Sequence, residues 1–190
     1  MTSDLKAQVL EASVGLIAEK GLAGLSMREV ARRAGVSHQA PYHYFDDRPA
    51  IVAALVETGF LRLAERMEDA AKAGPASHRL ERVGKAYVAF ALEEPVYFRL
   101  MFRPELTDLK RFPSAGAAGA RAFSVLQHLV AERLGPRVGQ AKKGAMVSLH
   151  WSLVHGLATL LLDGPLGAEF SDAAAREHHI EQVLRLFIEG

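Results

Sequence analysis

SMREVARRAGVSHQAPYHYF, residues 26–45, has the pattern of two short helices joined by a tight turn. Ser26 followed three residues later by Glu29 is a capping box: the hydroxyl accepts from the amide of residue 29, and the carboxylate reaches back to the amide of residue 26. Met27, Val30, Ala31 and Ala34 then recur at the i, i+3, i+4, i+7 spacing of one buried face, which sends Arg28, Arg32 and Arg33 elsewhere. Gly35 supplies a left-handed stop. Val36 is a single apolar plug, and Ser37 is a second N-cap only two residues beyond the stop. Helices joined this tightly cross at a steep angle, as in a helix-turn-helix.

On the second helix, 100° per residue places His38, Gln39, Tyr42 and His43 on one arc and Ala40, Pro41 and Tyr44 on the other. A glutamine amide can bond an adenine edge in two places, imidazole and phenol reach bases or phosphates, and a helix N-terminus attracts phosphate. The exposed arc therefore has the chemistry of a DNA-reading surface, although an ordinary helical hairpin with a polar outer face carries the same pattern. Pro41 complicates the helix. It has no amide proton, and its ring crowds the carbonyl of Ser37, so the first turn is expected to be loose or 3₁₀-like.

The run GVSHQAPYHYFDDRPAIVAAL, residues 35–55, resembles the signature of TetR-family transcriptional regulators, with Gly35, Val36, Ser37, Tyr42 and Phe45 in place. The preceding EKGLAGLSMREVARRAG, residues 19–35, is similar as well, so the resemblance covers residues 4–60. WSLVHGLATLLLDGP, residues 151–165, resembles the Trp-His-Gly segment of one class of TetR effector domains. The resemblance implies an all-α chain of about nine helices, with a three-helix DNA-binding domain at 1–48 and a ligand-binding and dimerisation domain at 49–190. It further implies base contacts from Gln39 and His43, and contacts nearer phosphates from Ser37, His38, Tyr42 and Arg48, with Ser26 and Arg28 also at the interface. The family often has Thr and Leu where this chain has Ala40 and Pro41, so a hydroxyl-to-phosphate contact is missing.

Charge neither makes nor excludes the DNA assignment. Residues 1–48 hold six basic side chains (Lys6, Lys20, Arg28, Arg32, Arg33, Arg48) and six acidic ones (Asp4, Glu11, Glu19, Glu29, Asp46, Asp47), a net charge of zero. Non-specific DNA binding should be weak and its salt dependence shallow. At 190 residues, half of them apolar, the chain has the material for a substantial core. It contains no cysteine, which excludes disulfides and thiolate metal sites and fits a reducing, cytoplasmic setting. MTSDLKAQVLEAS, at the start, carries acids early and lacks the compact apolar run of a signal peptide.

Outward from residues 26–45, a first helix is expected over Leu5–Lys20, with Leu5, Val9, Leu10, Leu16 and Ile17 on one face. Asp47 caps a long helix reaching about Ala73, where Gly74 and Pro75 break it. Ser77 is expected to cap the next helix, through Leu80, Val83, Tyr87, Phe90 and Ala91. PVYFRLMF, residues 95–102, is dense in large side chains, 104–113 is expected to be loop, and the Ala and Gly run at 115–120 is either flexible or a helix start permitting close approach. A further helix continues through Phe123 and Leu126 to Leu134. From Gly144 to Leu162 there is no Asp, Glu, Lys or Arg. That length can span a bilayer, but Ser148, His150, Trp151, Ser152 and His155 lie inside it, so a helix buried on nearly all sides is expected rather than a membrane span. The last helix, 172–189, presents Ile180, Val183, Leu184 and Phe187, which the resemblance assigns to a two-fold dimer interface built from the last two helices.

Metal and catalytic sites are not expected. His150 and His155 diverge by about 140° on a helix, His178 and His179 by about 100°, and no zincin motif is present. Ser152 precedes His155 by three residues, but no orienting carboxylate or oxyanion hole accompanies them. Tyr87, Phe90, Tyr97, Phe98, Met101, Phe102, Phe123, His128, Trp151 and His155 are the candidate lining of a small-molecule site, mostly apolar with a few polar groups. The expected function is a homodimeric repressor released from a palindromic operator by an apolar or aromatic effector, with no cofactor. The alternatives are an effector-independent DNA-binding dimer, or a helical ligand-binding or interaction protein without operator binding.

Overall fold

The computed structural model describes residues 2–189, and among them the fold is entirely helical. Nine α-helices follow one another among the described residues: α1 Thr2–Lys20, α2 Met27–Ala34, α3 Arg48–Lys72, α4 Arg79–Glu93, α5 Pro95–Met101, α6 Pro113–Leu134, α7 Gln140–Leu162, α8 Leu166–Glu169 and α9 Ala173–Glu189. Short 3₁₀ turns lie at Leu22–Gly24, Ala40–His43, Ala76–His78 and Pro104–Leu106. The chain packs as two compact units, one of residues 1–59 and 96–117, the other of 60–95 and 118–190. This packing division differs from the functional boundary drawn at residue 48: the first half of α3, together with α5 and the start of α6, packs with the N-terminal helices.

In the first unit α2 lies against α1 over Val9, Leu16, Met27, Val30 and Ala31, all buried. Ser26 caps α2 as expected, accepting from the Glu29 amide at 3.2 Å, and Gly35 ends it at φ 68°. The other half of the capping box is not made. Glu29 Oε2 instead accepts from Arg32 at 3.1 Å and Lys20 at 3.5 Å, because two cations attract a carboxylate more strongly than a solvated amide does. Arg33 forms a two-pronged ion pair with Glu19, both distances 2.7 Å, and its guanidinium fills the space where a side chain at Gly15 would stand. Asp47 caps α3 through the Ala50 amide at 2.9 Å. Segment 96–117 is fastened along α3 at Gly59, whose missing Cβ admits Met101 and Tyr97, by Ser114 to Glu57 at 2.8 Å, and by Arg111 to Asp47 at 2.8 Å.

The second unit packs α4 against α7 and α9. Gly84 lets them meet: a Cβ there would stand 3.0 Å from Leu184 Cδ2 and 3.4 Å from Val154 Cγ1. Ion pairs Arg121–Glu68, Arg79–Glu132 and Lys85–Glu181 tie the helices at the surface. Two expectations are corrected and one alternative is decided. Ser77 does not cap α4; it sits in a 3₁₀ turn, and α4 starts after His78 with no side-chain cap. The Ala and Gly run is helix, part of α6, with Gly119 against the Phe60 ring. The charge-free stretch of α7 is not buried all round, since Ser148, Leu149, Ser152, Thr159 and Leu160 are exposed along one side. By length and composition Gln140–Leu162 could cross a membrane, which for a single helix is weak evidence.

Ser26→Ala leaves the Glu29 amide unsatisfied and should cost about 1 kcal/mol. At fixed protein concentration that is a fall of roughly 2–4 °C in Tm. An unchanged melting curve would show that α2 does not need this cap.

Candidate nucleic-acid interface and effector site

Residues 37–45 form a turn followed by a 3₁₀ segment rather than an α-helix, and Pro41 is the reason. An α-helix would satisfy the Ser37 carbonyl with the amide of residue 41, which proline lacks. The carbonyl instead accepts from Ala40 at 3.0 Å, and the same i to i+3 pattern repeats at Tyr42 to Gln39 (3.1 Å) and Tyr44 to Pro41 (3.1 Å). Ala40, Pro41 and Phe45 are buried, whereas His38, Gln39, Tyr42 and His43 are exposed. The two faces are divided as the helical wheel expects. A 3₁₀ turn advances 120° per residue, so Gln39 and Tyr42 stand in line rather than offset. His38 leans on Tyr42, ring centroids 5.8 Å apart.

Of the other residues assigned to DNA, Ser37 and Arg28 are exposed, and Ser26 has its hydroxyl engaged in the cap. Arg48 is exposed but donates to the Leu22 carbonyl at 2.6 Å, so it braces the start of α3 with one of its five N–H groups. Lys20, Arg32 and Arg33 are paired with Glu29 or Glu19.

The candidate effector residues separate. Tyr87, Phe123, Trp151 and His155 form one continuous cluster in the second unit: Trp151 stands edge-on to Phe123 at 5.4 Å, its indole N–H donates to the Tyr87 hydroxyl at 3.4 Å, and that hydroxyl lies 2.8 Å from His155 Nδ1. Burial pushes the Tyr87 phenol up and the His155 imidazole down. Both are therefore neutral at pH 7, and with Trp151 donating to the phenol oxygen, the phenol proton is directed to His155. Phe123 and Trp151 remain partly open, at 37% and 38% exposure. Phe90 is fully buried with the Arg66 guanidinium over its ring, a core position rather than a lining one. His128 lines a different groove of about 470 Å³, with Glu68, Lys72, Arg79, Ser124 and Glu132 around a floor of Ala71, Val125 and Leu129. Tyr97, Phe98, Met101 and Phe102 belong to the first unit, where Phe98 and Phe102 make an edge-to-face pair at 5.2 Å.

Two of the four interface assignments, Ile180 and Leu184, need correction. Ile180 and Leu184 are buried within the protomer, Leu184 at 2% exposure against Gly84. Val183 is half-buried, and Phe187 is half-buried with its ring edge-on to His150. The outward apolar side chains are Leu186 on α9, 75% exposed, and Leu149 and Leu160 on α7. Wheel position alone could not tell which of two apolar edges of α9 meets α4.

An exposed polar segment held outward by an adjoining short helix is the arrangement of helix-turn-helix proteins. The sequence model "Bacterial regulatory proteins, tetR family" matches residues 9–55, and "Tetracyclin repressor-like, C-terminal domain" matches 80–183. The chain belongs to the tetR family. An uncharacterised HTH-type transcriptional regulator of Haemophilus influenzae is 30% identical over 109 residues, 57% of this chain. The chain spans about half the length of that relative, 53%. A protein of unknown function from Rhodococcus sp. RHA1 has the same fold at TM-score 0.74 and 28% identity, covering 95% of this chain and 94% of that one. FadR from Bacillus subtilis, in complex with stearoyl-CoA, matches at TM-score 0.72 and 17% identity, over 94% and 96%.

His150 and His155 share a pH consequence. Burial lowers both pKa values; at His150 the bond to the Met146 carbonyl opposes this and Arg133 reinforces it. The unfolded chain then binds protons more readily than the folded one, so stability is full above the unfolded value of about 6.5 and declines as pH falls below it, until the folded value is passed. Tm should drop as pH falls below about 6.5, and His150→Gln with His155→Gln should flatten that slope. A double variant with wild-type acid sensitivity would exclude these histidines as its source.

Proposed function

We propose that the chain is a DNA-binding transcriptional repressor that acts as a homodimer and is released from a palindromic operator by a small molecule. The observation that carries this is the exposed row of His38, Gln39, Tyr42 and His43 on a buried base of Ala40, Pro41 and Phe45, inside the segment that matches the tetR family. Residues 1–48 serve DNA and 49–190 serve ligand and dimer. Gln39 and His43 face base edges, with Ser37, His38, Tyr42 and Arg48 nearer phosphates. Family membership is that of regulatory proteins, and no catalytic role is assigned.

The open side of α7 and its counterpart on α9 support dimerisation. Ser148, Leu149, Ser152, Gly156, Thr159 and Leu160 recur along one stripe, and a Cβ at Gly156 would meet nothing of its own chain within 4 Å. Leu186 and Val183 present a second apolar edge, and a palindromic site requires two reading heads. Leu149→Asp with Leu186→Asp should yield folded monomers, read by sedimentation at micromolar concentration, whereas Leu184→Asp should unfold the protomer. A wild-type chain that sediments as a monomer removes the dimer assignment.

The effector site is the Phe123, Trp151, Tyr87 and His155 cluster, which suits an uncharged or weakly polar, partly aromatic compound. The FadR complex supports the principle that this architecture holds a small molecule. Trp151 is the single tryptophan, so its emission reports occupancy directly. Compounds that raise Tm should perturb that emission and weaken operator binding by about 1–3 kcal/mol, and operator should weaken them equally. Hits that bind yet leave DNA affinity unchanged would favour the effector-independent dimer.

The DNA assignment is tested at Gln39. Gln39→Ala should cost about 1–3 kcal/mol at one base position and relax preference there, while Arg48→Ala weakens all sequences alike. An unchanged selected sequence for Gln39→Ala places base reading elsewhere.

A further inference from the structure

The cations that residues 1–48 offer to DNA are few, because most of them are engaged inside the head. Lys20, Arg32 and Arg33 are held by Glu29 and Glu19, and Arg48 is partly committed to Leu22. Residues 1–59 carry six basic and seven acidic side chains, net −1. The other part of the same compact unit, 96–117, carries four basic (Arg99, Arg103, Lys110, Arg111) and two acidic (Glu105, Asp108), net +2, which turns the unit to +1.

That supplement reaches the residues next to the reading segment. A tight turn closes at 108–112, with Arg111 and Phe112 amides on the Asp108 carbonyl at 3.1 and 2.9 Å and the Lys110 amide on the Asp108 side chain at 2.9 Å. It exposes Lys110 and Arg111. Arg111 Nη1 bonds Asp47 Oδ2 at 2.8 Å, while Asp47 Oδ1 caps α3. The Arg111 guanidinium lies 4.8 Å from the Phe112 ring centroid, which fixes its plane. Asp47 directly precedes Arg48, so Arg111 stands at the start of α3, where an unneutralised Asp46–Asp47 pair would repel phosphate. One bond to Asp47 leaves Arg111 with further N–H donors, and Lys110 has no side-chain partner among the described residues.

We propose that the 108–112 turn is a second DNA-contacting element, in which Arg111 and Lys110 bind the phosphate backbone of double-stranded DNA beside the segment that Gln39 reads. It rests on the DNA-binding assignment above and adds contacts from a part of the chain that the sequence assigns to the effector domain. Its occupant is the duplex backbone, favoured by charge complementarity and by continuity with the reading face. The contacts carry no base information, so they contribute to affinity and to salt dependence alone.

The test measures binding of wild type, Lys110→Gln, Arg111→Gln and Arg111→Lys to two probes, a mixed-sequence duplex and a duplex selected by the wild type from a random pool, over a series of salt concentrations. Arg121→Gln, which breaks only a pair to Glu68 in the other compact unit, is the control. Removing one cation–phosphate pair lowers the slope of log K against log salt by about 0.9, so removing one from each protomer of a dimer lowers it by about 2. Lys110→Gln and Arg111→Gln should each show that drop and a several-fold weakening on both probes, with the selected sequence unchanged. Arg111→Lys should keep most of the slope. Wild-type slopes in both Gln variants overturn the proposal. So does a weakening in Arg111→Gln that tracks its fall in Tm with no change in slope, since that is a structural tie to Asp47. If wild type binds neither probe, the DNA-binding assignment itself fails; binding with unaltered slopes removes only the role of the turn.

Discussion

One missing hydrogen arranges the exposed row proposed to read DNA. Because Pro41 has no amide proton, the Ser37 carbonyl takes the amide of Ala40, and the backbone winds as a 3₁₀ turn from there to Tyr44. The ring that removes the donor is also buried, so the same residue that prevents an α-helix anchors the segment to the head. The consequence reaches function through geometry. A tighter helix, with a rise of about 2.0 Å per residue, brings Gln39 and Tyr42 into line and changes the spacing of the exposed row relative to an α-helical reading element.

Around that segment, the head uses its charges mainly on itself. The Arg33–Glu19 fork fixes α2 on α1, and Glu29 collects Lys20 and Arg32. These pairs are solvent-exposed, so each contributes little to stability. Their larger effect is on orientation and on potential, because a cation held by a carboxylate offers less to a phosphate. Residues 1–48 are net neutral, and the positive charge of the compact unit comes from residues 96–117.

The second unit shows a different pattern, with apolar surface left uncovered. α7 has a buried side against α4 and an open side bearing leucines among small and hydroxyl residues. A helix without charge over nineteen positions exposes such a face at a cost of about 25 cal/mol per Å² of apolar surface, which a second copy of the chain would recover. The Trp151–Tyr87–His155 line sits on the flank of that helix, joined by hydrogen bonds rather than by packing alone. Both titratable members are neutral at pH 7, the His155 imidazole held so by burial, in keeping with the uncharged ligand proposed for this cluster.

Local sequence determined the helices, the Ser26 and Gly35 boundaries of α2, the division of residues 38–45 into exposed and buried faces, and the 3₁₀ character imposed by Pro41. Each depends on neighbours within four residues, through capping, periodicity or an absent donor. Trp151 and His155, four residues apart, share a helix face for the same reason, and their ring centroids lie 6.3 Å apart. Tertiary structure alone decided the rest. Leu184 faces α4 rather than outward because Gly84 opens a space there, and Ile180 is buried within the protomer as well. Glu29 turns from its cap to Arg32 on its own helix and to Lys20, which only the α1–α2 packing brings near. Tyr97, Phe98, Met101 and Phe102 pack with the N-terminal helices, although they follow an effector-domain helix in sequence. Arg111 meets Asp47 across sixty-four residues of chain. Contacts of that separation leave no periodic trace in a single sequence, since either partner alone is an ordinary exposed charge.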